Sequence, residues 1–65
     1  MLRLNGEPHS LPEPLSVAGL LAHLGVEARK VAVERNLEIV PRSRYAATWL
    51  ASGDRLEIVH FIGGG

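Results

Sequence analysis

The last five residues, Phe61-Ile62-Gly63-Gly64-Gly65, carry an apolar segment into three glycines. Glycine is about 7% of ordinary sequence, so three in succession at a set place arise by chance on the order of a few times in ten thousand. Glycine builds no pocket wall and offers a thin backbone free of side-chain clashes. The reactive group it presents here is the carboxylate of Gly65. A carboxylate is inert as an acyl donor until it is activated. ATP can convert it to an acyl-adenylate, whose carbonyl a sulfur nucleophile can attack. An enzyme doing this must thread the terminus through a narrow channel to its nucleotide. A tail expected to be flexible over 62–65 suits that passage, and the entropy cost of ordering it keeps the complex reversible. The competing reading of the run is a frayed terminus or an expression remnant.

Other groups capable of chemistry are dispersed. His9, His23 and His60 lie far apart and show no metal-ligand spacing, so each reads as structural or surface. Ser10, Ser16, Ser43 and Ser52 fall at turns and caps, and none sits in a nucleophile-elbow pattern. Glu34, Glu38 and Glu57 are scattered on expected strand surfaces and read as solvated charges. Arg42 and Arg44 flank a turn and read as solubilising, or as a small positive patch for a partner. The glycine run is no phosphate-cradling loop, because no helix follows it. There is no cysteine, which excludes disulfides, thiolate metal sites and a cysteine nucleophile. Sulfur chemistry here cannot use a thiol of the chain's own.

Sixty-five residues, 46% of them hydrophobic, make one small domain, 1–65, with a modest core and little room for an enclosed active site. Seven basic residues balance seven acidic ones, which weighs against nucleic-acid binding. No apolar run approaches a membrane span, and Met1-Leu2-Arg3-Leu4-Asn5 lacks the apolar core of a signal peptide. A cytoplasmic protein with no membrane partner is expected.

The elements that must position the tail follow from local patterns. Leu2-Arg3-Leu4 alternates as a half-buried strand does. Asn5-Gly6 is a type I′ hairpin signal. The return strand is expected over about Glu7 to Leu11, with Pro8 indicating an edge. Pro12-Glu13-Pro14 is a stiff connector. Ser16 is placed to cap a helix whose Val17, Leu20, Leu21 and Leu24 share one face, and Gly25 to end it. Gly19 within it implies close packing against a strand. Glu27 to Lys30 reads as a polar loop. Val31-Ala32-Val33 predicts a central third strand, Asn36 a turn, and Leu37-Glu38-Ile39-Val40 a fourth strand ended by Pro41. Ser43 predicts the cap of a short helix from Arg44 to about Leu50, with Tyr45 and Trp49 on one face. Gly53-Asp54 is a turn before a last strand, Arg55 to about Phe61. The order predicts an α+β fold of the β-grasp (ubiquitin-like) type: a mixed sheet of about five strands, one main helix and one short helix, with the last strand parallel to the first.

In that last strand Leu56, Ile58 and His60 point one way, and Glu57, Val59 and Phe61 the other. With Leu56 and Ile58 facing the helix, Val59 and Phe61 face outward beside the tail, on an edge-accessible strand. They then form a partner-docking surface, or they cover part of the sheet or the short helix. A one-residue slip in register would exchange the faces.

The stretch from Val31 through Glu34-Arg35-Asn36 and Ile39-Val40-Pro41-Arg42 to Tyr45 resembles the ThiS family, the bacterial sulfur carriers of thiamine biosynthesis. Gly53-Asp54-Arg55-Leu56-Glu57-Ile58-Val59, the glycine end, Leu4-Asn5-Gly6 and the Ser16–Gly25 helix fit the same pattern, so the resemblance covers essentially the whole chain. It implies a β-grasp carrier that is itself no enzyme. An E1-like adenylyltransferase would use ATP and Mg to adenylate Gly65. Sulfur drawn from a cysteine desulfurase persulfide or another donor would convert Gly65 to a thiocarboxylate, and thiazole synthase would take that sulfur for the thiazole ring. Ile62, Gly63, Gly64 and Gly65 would be the tail entering the partners' active sites. The carrier itself would bind no cofactor and no metal. The family usually ends in two glycines after a larger residue. Here Gly63 stands in that residue's place, or the reactive end lies one residue earlier after trimming; the intact end is the preferred reading.

Three other functions share parts of this pattern. The small-subunit type of molybdopterin sulfur carrier has the fold and the glycine end but is usually longer. A ubiquitin-like modifier would join the tail to amines. A plain β-grasp binding module would have an inert tail.

Overall fold

In a computed structural model of the chain, residues 1–11 and 13–61 are described. Strands β1 (Leu2–Leu4) and β2 (Glu7–His9) form a hairpin, helix α1 (Val17–Leu24) follows, and β3 (Val31–Arg35), β4 (Glu38–Val40) and β5 (Arg55–His60) complete one sheet. The strand order is β2-β1-β5-β3-β4, with β1 and β5 parallel and the other neighbours antiparallel. This is the expected mixed five-stranded sheet with one helix on one face.

Alternation along each strand explains why the sheet is two-faced. Leu2 and Leu4, Val31 and Val33, Val40, and Leu56 and Ile58 are buried, and they meet Val17, Leu20 and Leu21 of α1. Residues between them along the strands face the other way. Both hairpin turns take positive φ at two successive positions, Asn5 (50°) with Gly6 (83°), and Asn36 (52°) with Leu37 (71°). That is the type I′ geometry whose twist matches the flanking strands. Leu37 therefore belongs to the turn, and β4 begins one residue later than its apolar pattern implied.

Helix α1 begins and ends as its sequence predicts. Ser16 accepts the Gly19 N–H at its hydroxyl (3.1 Å), and Gly25 closes the helix in the left-handed region at φ 73°. Two further orphan donors of the first turn find partners far along the chain. The Val17 N–H donates to the Thr48 carbonyl and the Ala18 N–H to the Tyr45 carbonyl. This corrects the expected short helix over 44–50. The helical turn there is a 3-10 turn at Arg42–Arg44 that follows directly from Pro41, and Ser43 lies inside it instead of capping it. The carbonyls of Tyr45 and Thr48 serve α1. The Leu50 N–H donates to the Leu15 carbonyl, and Trp49 forms an isolated bridge with Ser16. Tyr45 and Trp49 consequently part: Tyr45 is buried with its hydroxyl donating to the Val31 carbonyl (3.4 Å), while Trp49 is exposed.

Three smaller corrections follow. A Cβ on Gly19 would meet Leu15 Cδ2 at 3.2 Å, so its close neighbour is the segment entering the helix and not a strand. The polar loop before β3 contains a 3-10 turn, Ala28–Lys30. The return strand β2 stops at His9, and Pro8 does lie on an edge strand.

Candidate functional site

The strand that leads to the glycine run is the middle of the sheet. β5 pairs with β1 through Arg3↔Arg55 and Leu4↔Leu56, and with β3 through five registered positions from Val31↔His60 to Arg35↔Leu56. The expectation of an edge-accessible last strand is corrected by this: β5 is gripped on both sides, and β3 lies between β5 and β4. The physical reason is the parallel β1–β5 pairing. The crossover through α1 inserts the last strand between the first hairpin and the β3–β4 hairpin.

Two side-chain devices hold β5 in place. The parallel ladder from β1 ends at Leu4, because the chain turns away at Asn5-Gly6. Asn5 continues the ladder with its amide: Oδ1 accepts the Ile58 N–H (2.8 Å) and Nδ2 donates to the Ile58 carbonyl (3.4 Å). At the other end of β5, Asp54 is buried and collects three donors. Ala51 N–H (2.8 Å) and Arg35 Nε (3.0 Å) reach Oδ2, and Asn36 Nδ2 (3.1 Å) reaches Oδ1. Asn36 Oδ1 in turn accepts the Arg55 N–H (2.9 Å). Burial alone would raise the Asp54 carboxyl. The hydrogen bonds from Ala51, Asn36 and Arg35 and the Arg35 charge outweigh it and hold the group below the usual carboxylate range. Asp54 is an architectural pin for the β3–β4 turn and the start of β5. Sequence reasoning marked it only as a turn residue. The legible signal was the pair of asparagines before short strands; their long-range partners were not.

The register of β5 is the one expected. Leu56 and Ile58 are buried, and Val59 (60% exposed) and Phe61 (50% exposed) face outward. They lie on the sheet face opposite α1. Val59 sits opposite Ala32, and the Phe61 N–H donates to the Lys30 carbonyl (2.9 Å). Ile39, also exposed, borders the same face from β4. Val59 and Phe61 are thus uncovered by either the short 3-10 turn or the segment after it. Ile62, Gly63, Gly64 and Gly65, the expected tail, lie outside the described residues.

The remaining candidates do not converge. His9, His23 and His60 lie on β2, α1 and β5, and among the described residues no group of three or more His, Cys, Asp or Glu could hold a metal ion. A depression of about 430 Å³ on the open face is lined by Arg3, Gly6, Glu34, Leu37, Arg55, Leu56 and Glu57. It holds no serine, histidine or cysteine to act as a nucleophile. Among the described residues no helix is long and apolar enough to cross a membrane.

Comparison with known proteins places this geometry. The ThiS family model matches residues 2–65. The chain is 58% identical over 64 residues to a thiazole synthase of Paramagnetospirillum magneticum, covering 98% of this chain and 20% of that protein. It therefore spans about a fifth of the length of that relative, and the same holds for a thiazole synthase of Magnetococcus marinus at 50% identity. It is 42% identical to the sulfur carrier protein ThiS of Bacillus subtilis, with 100% of each chain covered. The crystal structure of a thiamine biosynthesis protein (ThiS) from Geobacter metallireducens superposes with a TM-score of 0.85 at 40% identity, covering 98% of this chain and 97% of that one. A five-stranded β-grasp sheet and a family match across nearly its whole length agree: the chain belongs to the ThiS family.

Proposed function

We propose that this chain is a sulfur carrier in the formation of the thiazole ring of thiamine, and that Gly65 is the residue that carries the sulfur. The observation that supports it most is the placement of β5. The strand is held from both sides at the centre of the sheet, its outward residues Val59 and Phe61 are exposed, and the sequence runs on from Phe61 directly into Ile62-Gly63-Gly64-Gly65. A rigid strand with an apolar outer face followed by a side-chain-free segment suits presentation of a terminus to another protein's active site.

The chemistry belongs to the partners. An E1-like adenylyltransferase with ATP and Mg joins AMP to the Gly65 carboxylate and releases pyrophosphate. A persulfide sulfur, supplied through a cysteine desulfurase or another donor, attacks the acyl carbonyl and displaces AMP. A second thiol cleaves the resulting acyl disulfide and leaves the thiocarboxylate. Thiazole synthase takes up that sulfur, and the full-length likeness to a named sulfur carrier and the likeness to thiazole synthases both favour this pairing. The carrier contributes the acyl group and the docking surface and acts as a co-substrate. Its own residues hold no metal and no nucleotide in this scheme.

Intact-mass spectrometry tests the proposal. Incubation with the adenylyltransferase, ATP and a sulfur source should exchange one terminal oxygen for sulfur. Deleting Gly65 should abolish the exchange and leave the thermal midpoint in place. An unchanged mass with a partner of verified activity refutes the carrier role. Attachment to lysine amines in place of thiocarboxylate would make the chain a protein modifier.

A further inference from the structure

The open face of the sheet carries an arrangement that is unfavourable for the isolated chain. Glu34 on β3 and Glu57 on β5 are registered directly opposite each other, and both point away from α1. Like charges in that position destabilise a sheet. Among the described residues the ion pairs are Glu27 with Arg29 and Lys30, and Arg35 with Asp54, so neither Glu34 nor Glu57 is neutralised by an ion pair there. Arg55 lies two residues from Glu57 on the same face, and Arg3 opposes Arg55 across β1. The face is therefore graded along β5: two arginines, then two glutamates, then Val59 and Phe61.

Apolar groups border the glutamates. Ile39 sits opposite Glu34 on β4 and is 68% exposed. Leu37 is 75% exposed at φ 71°, a conformation that costs a leucine strain, and lines the same depression as Arg3, Glu34, Arg55 and Glu57. A strained, solvent-exposed leucine beside an opposed glutamate pair brings the fold no evident gain, which points outward to a binding role.

We propose that this open face docks the adenylyltransferase that activates the tail, and that the docked surface presents an arginine or lysine between Glu34 and Glu57, framed by apolar contacts to Leu37, Ile39, Val59 and Phe61. Charge complementarity selects this occupant. A cation placed between two opposed carboxylates relieves their repulsion, and an apolar surround strengthens the pairing by excluding water. The grading of the face asks for an acidic group on the partner opposite Arg3 and Arg55, which sets the orientation as well as the affinity. Val59 and Phe61 make the surface continuous with the exit towards the glycine tail. The inference rests on the carrier reading and adds what the carrier's partner must look like.

The test compares adenylation kinetics of the full chain with its adenylyltransferase across three proteins: wild type, E34K/E57K, and E7K/E13K as a control with the same change of net charge at exposed sites. For E34K/E57K the KM for the carrier should rise tenfold or more, on the order expected when charges at an interface are made repulsive, while E7K/E13K stays within about twofold of wild type. The wild-type KM should also rise with ionic strength. A second double variant, E34Q/E57Q, should keep or raise the thermal midpoint, because the opposed charges are gone, yet still raise KM. Adenylation of wild type and E34K/E57K with equal KM refutes the docking inference and leaves the carrier reading standing. Failure of the wild type to be adenylated overturns both.

Discussion

Asp54→Ala is expected to be among the most damaging single substitutions at a polar position, although Asp54 lies at the opposite end of β5 from the glycine tail. Asp54 is 7% exposed, and its carboxylate accepts from Ala51 N–H, Asn36 Nδ2 and Arg35 Nε. Two bonds from neutral donors to the ionised carboxylate, at about 1.5 kcal/mol each, and the bond from the Arg35 guanidinium, at about 2 kcal/mol, give an upper figure of about 5 kcal/mol. The Arg35 side chain is 34% exposed, so water and screening return part of its share. That leaves roughly 3–5 kcal/mol, against a total stability of roughly 3–10 kcal/mol for a domain of this length. In thermal unfolding the midpoint should fall by roughly 10–40 °C.

Asp54→Asn separates charge from shape. An asparagine whose oxygen takes the place of Oδ2 keeps the bonds from Ala51 and Arg35, but its amide then faces the Asn36 amide, donor against donor. Asn36 cannot flip without losing the Arg55 N–H bond at its own oxygen. A loss of at least about 1 kcal/mol is therefore expected even from the isosteric change. The pH dependence provides a second reading. The Asp54 carboxyl sits below its ordinary value of 3.8 in the folded chain. Its stabilisation is therefore fully present above the unfolded value and is lost as pH falls through 3.8 towards the folded value. The stability gap between wild type and Asp54→Asn should shrink over that acid window and stay flat at higher pH. Urea denaturation across the acid range measures both effects. Variants within about 0.5 kcal/mol of wild type at neutral pH, below even a typical single hydrogen bond, would refute the view of Asp54 as the pin of β5.

Two further substitutions probe the open face. Phe61→Asp should cost at most about 1 kcal/mol of stability, because the residue is already half exposed, while carrier affinity for the adenylyltransferase falls tenfold or more, as for an aromatic anchor; isothermal titration beside urea denaturation compares the two, and a large stability loss with unchanged affinity would place Phe61 in the core. Leu37→Gly should raise the urea midpoint by an amount equivalent to about 0.5–1 kcal/mol, because glycine accepts φ 71° without strain; a lower midpoint would show that the leucine side chain stabilises the turn.

Short-range physics made much of this molecule readable in advance. The Asn5-Gly6 turn, the Ser16 cap, the Val17/Leu20/Leu21 face, the Gly25 stop and the inward–outward order of Leu56 to Phe61 each depend on residues within one turn or one strand of each other. Their local preferences survive because the sheet and helix bury the same apolar sets that the patterns mark. The glycine run that nominates Gly65 was likewise a property of the sequence alone.

Tertiary structure decided what local patterns leave open. Residues 44–50 have a helical spacing, yet the carbonyls of Tyr45 and Thr48 satisfy the first-turn N–H groups of α1 in place of a helix of their own. The last strand could have been an edge, but β1 claims one side of it and β3 the other, so β5 lies at the centre. The contacts of Asn5 with Ile58 and of Asp54 with Arg35 and Asn36, and the confrontation of Glu34 with Glu57, join residues between 18 and 53 positions apart. Pairings of that range are set by which strands become neighbours. Neighbour choice is a property of the whole fold, because many distant contacts must form together before any one of them is favourable.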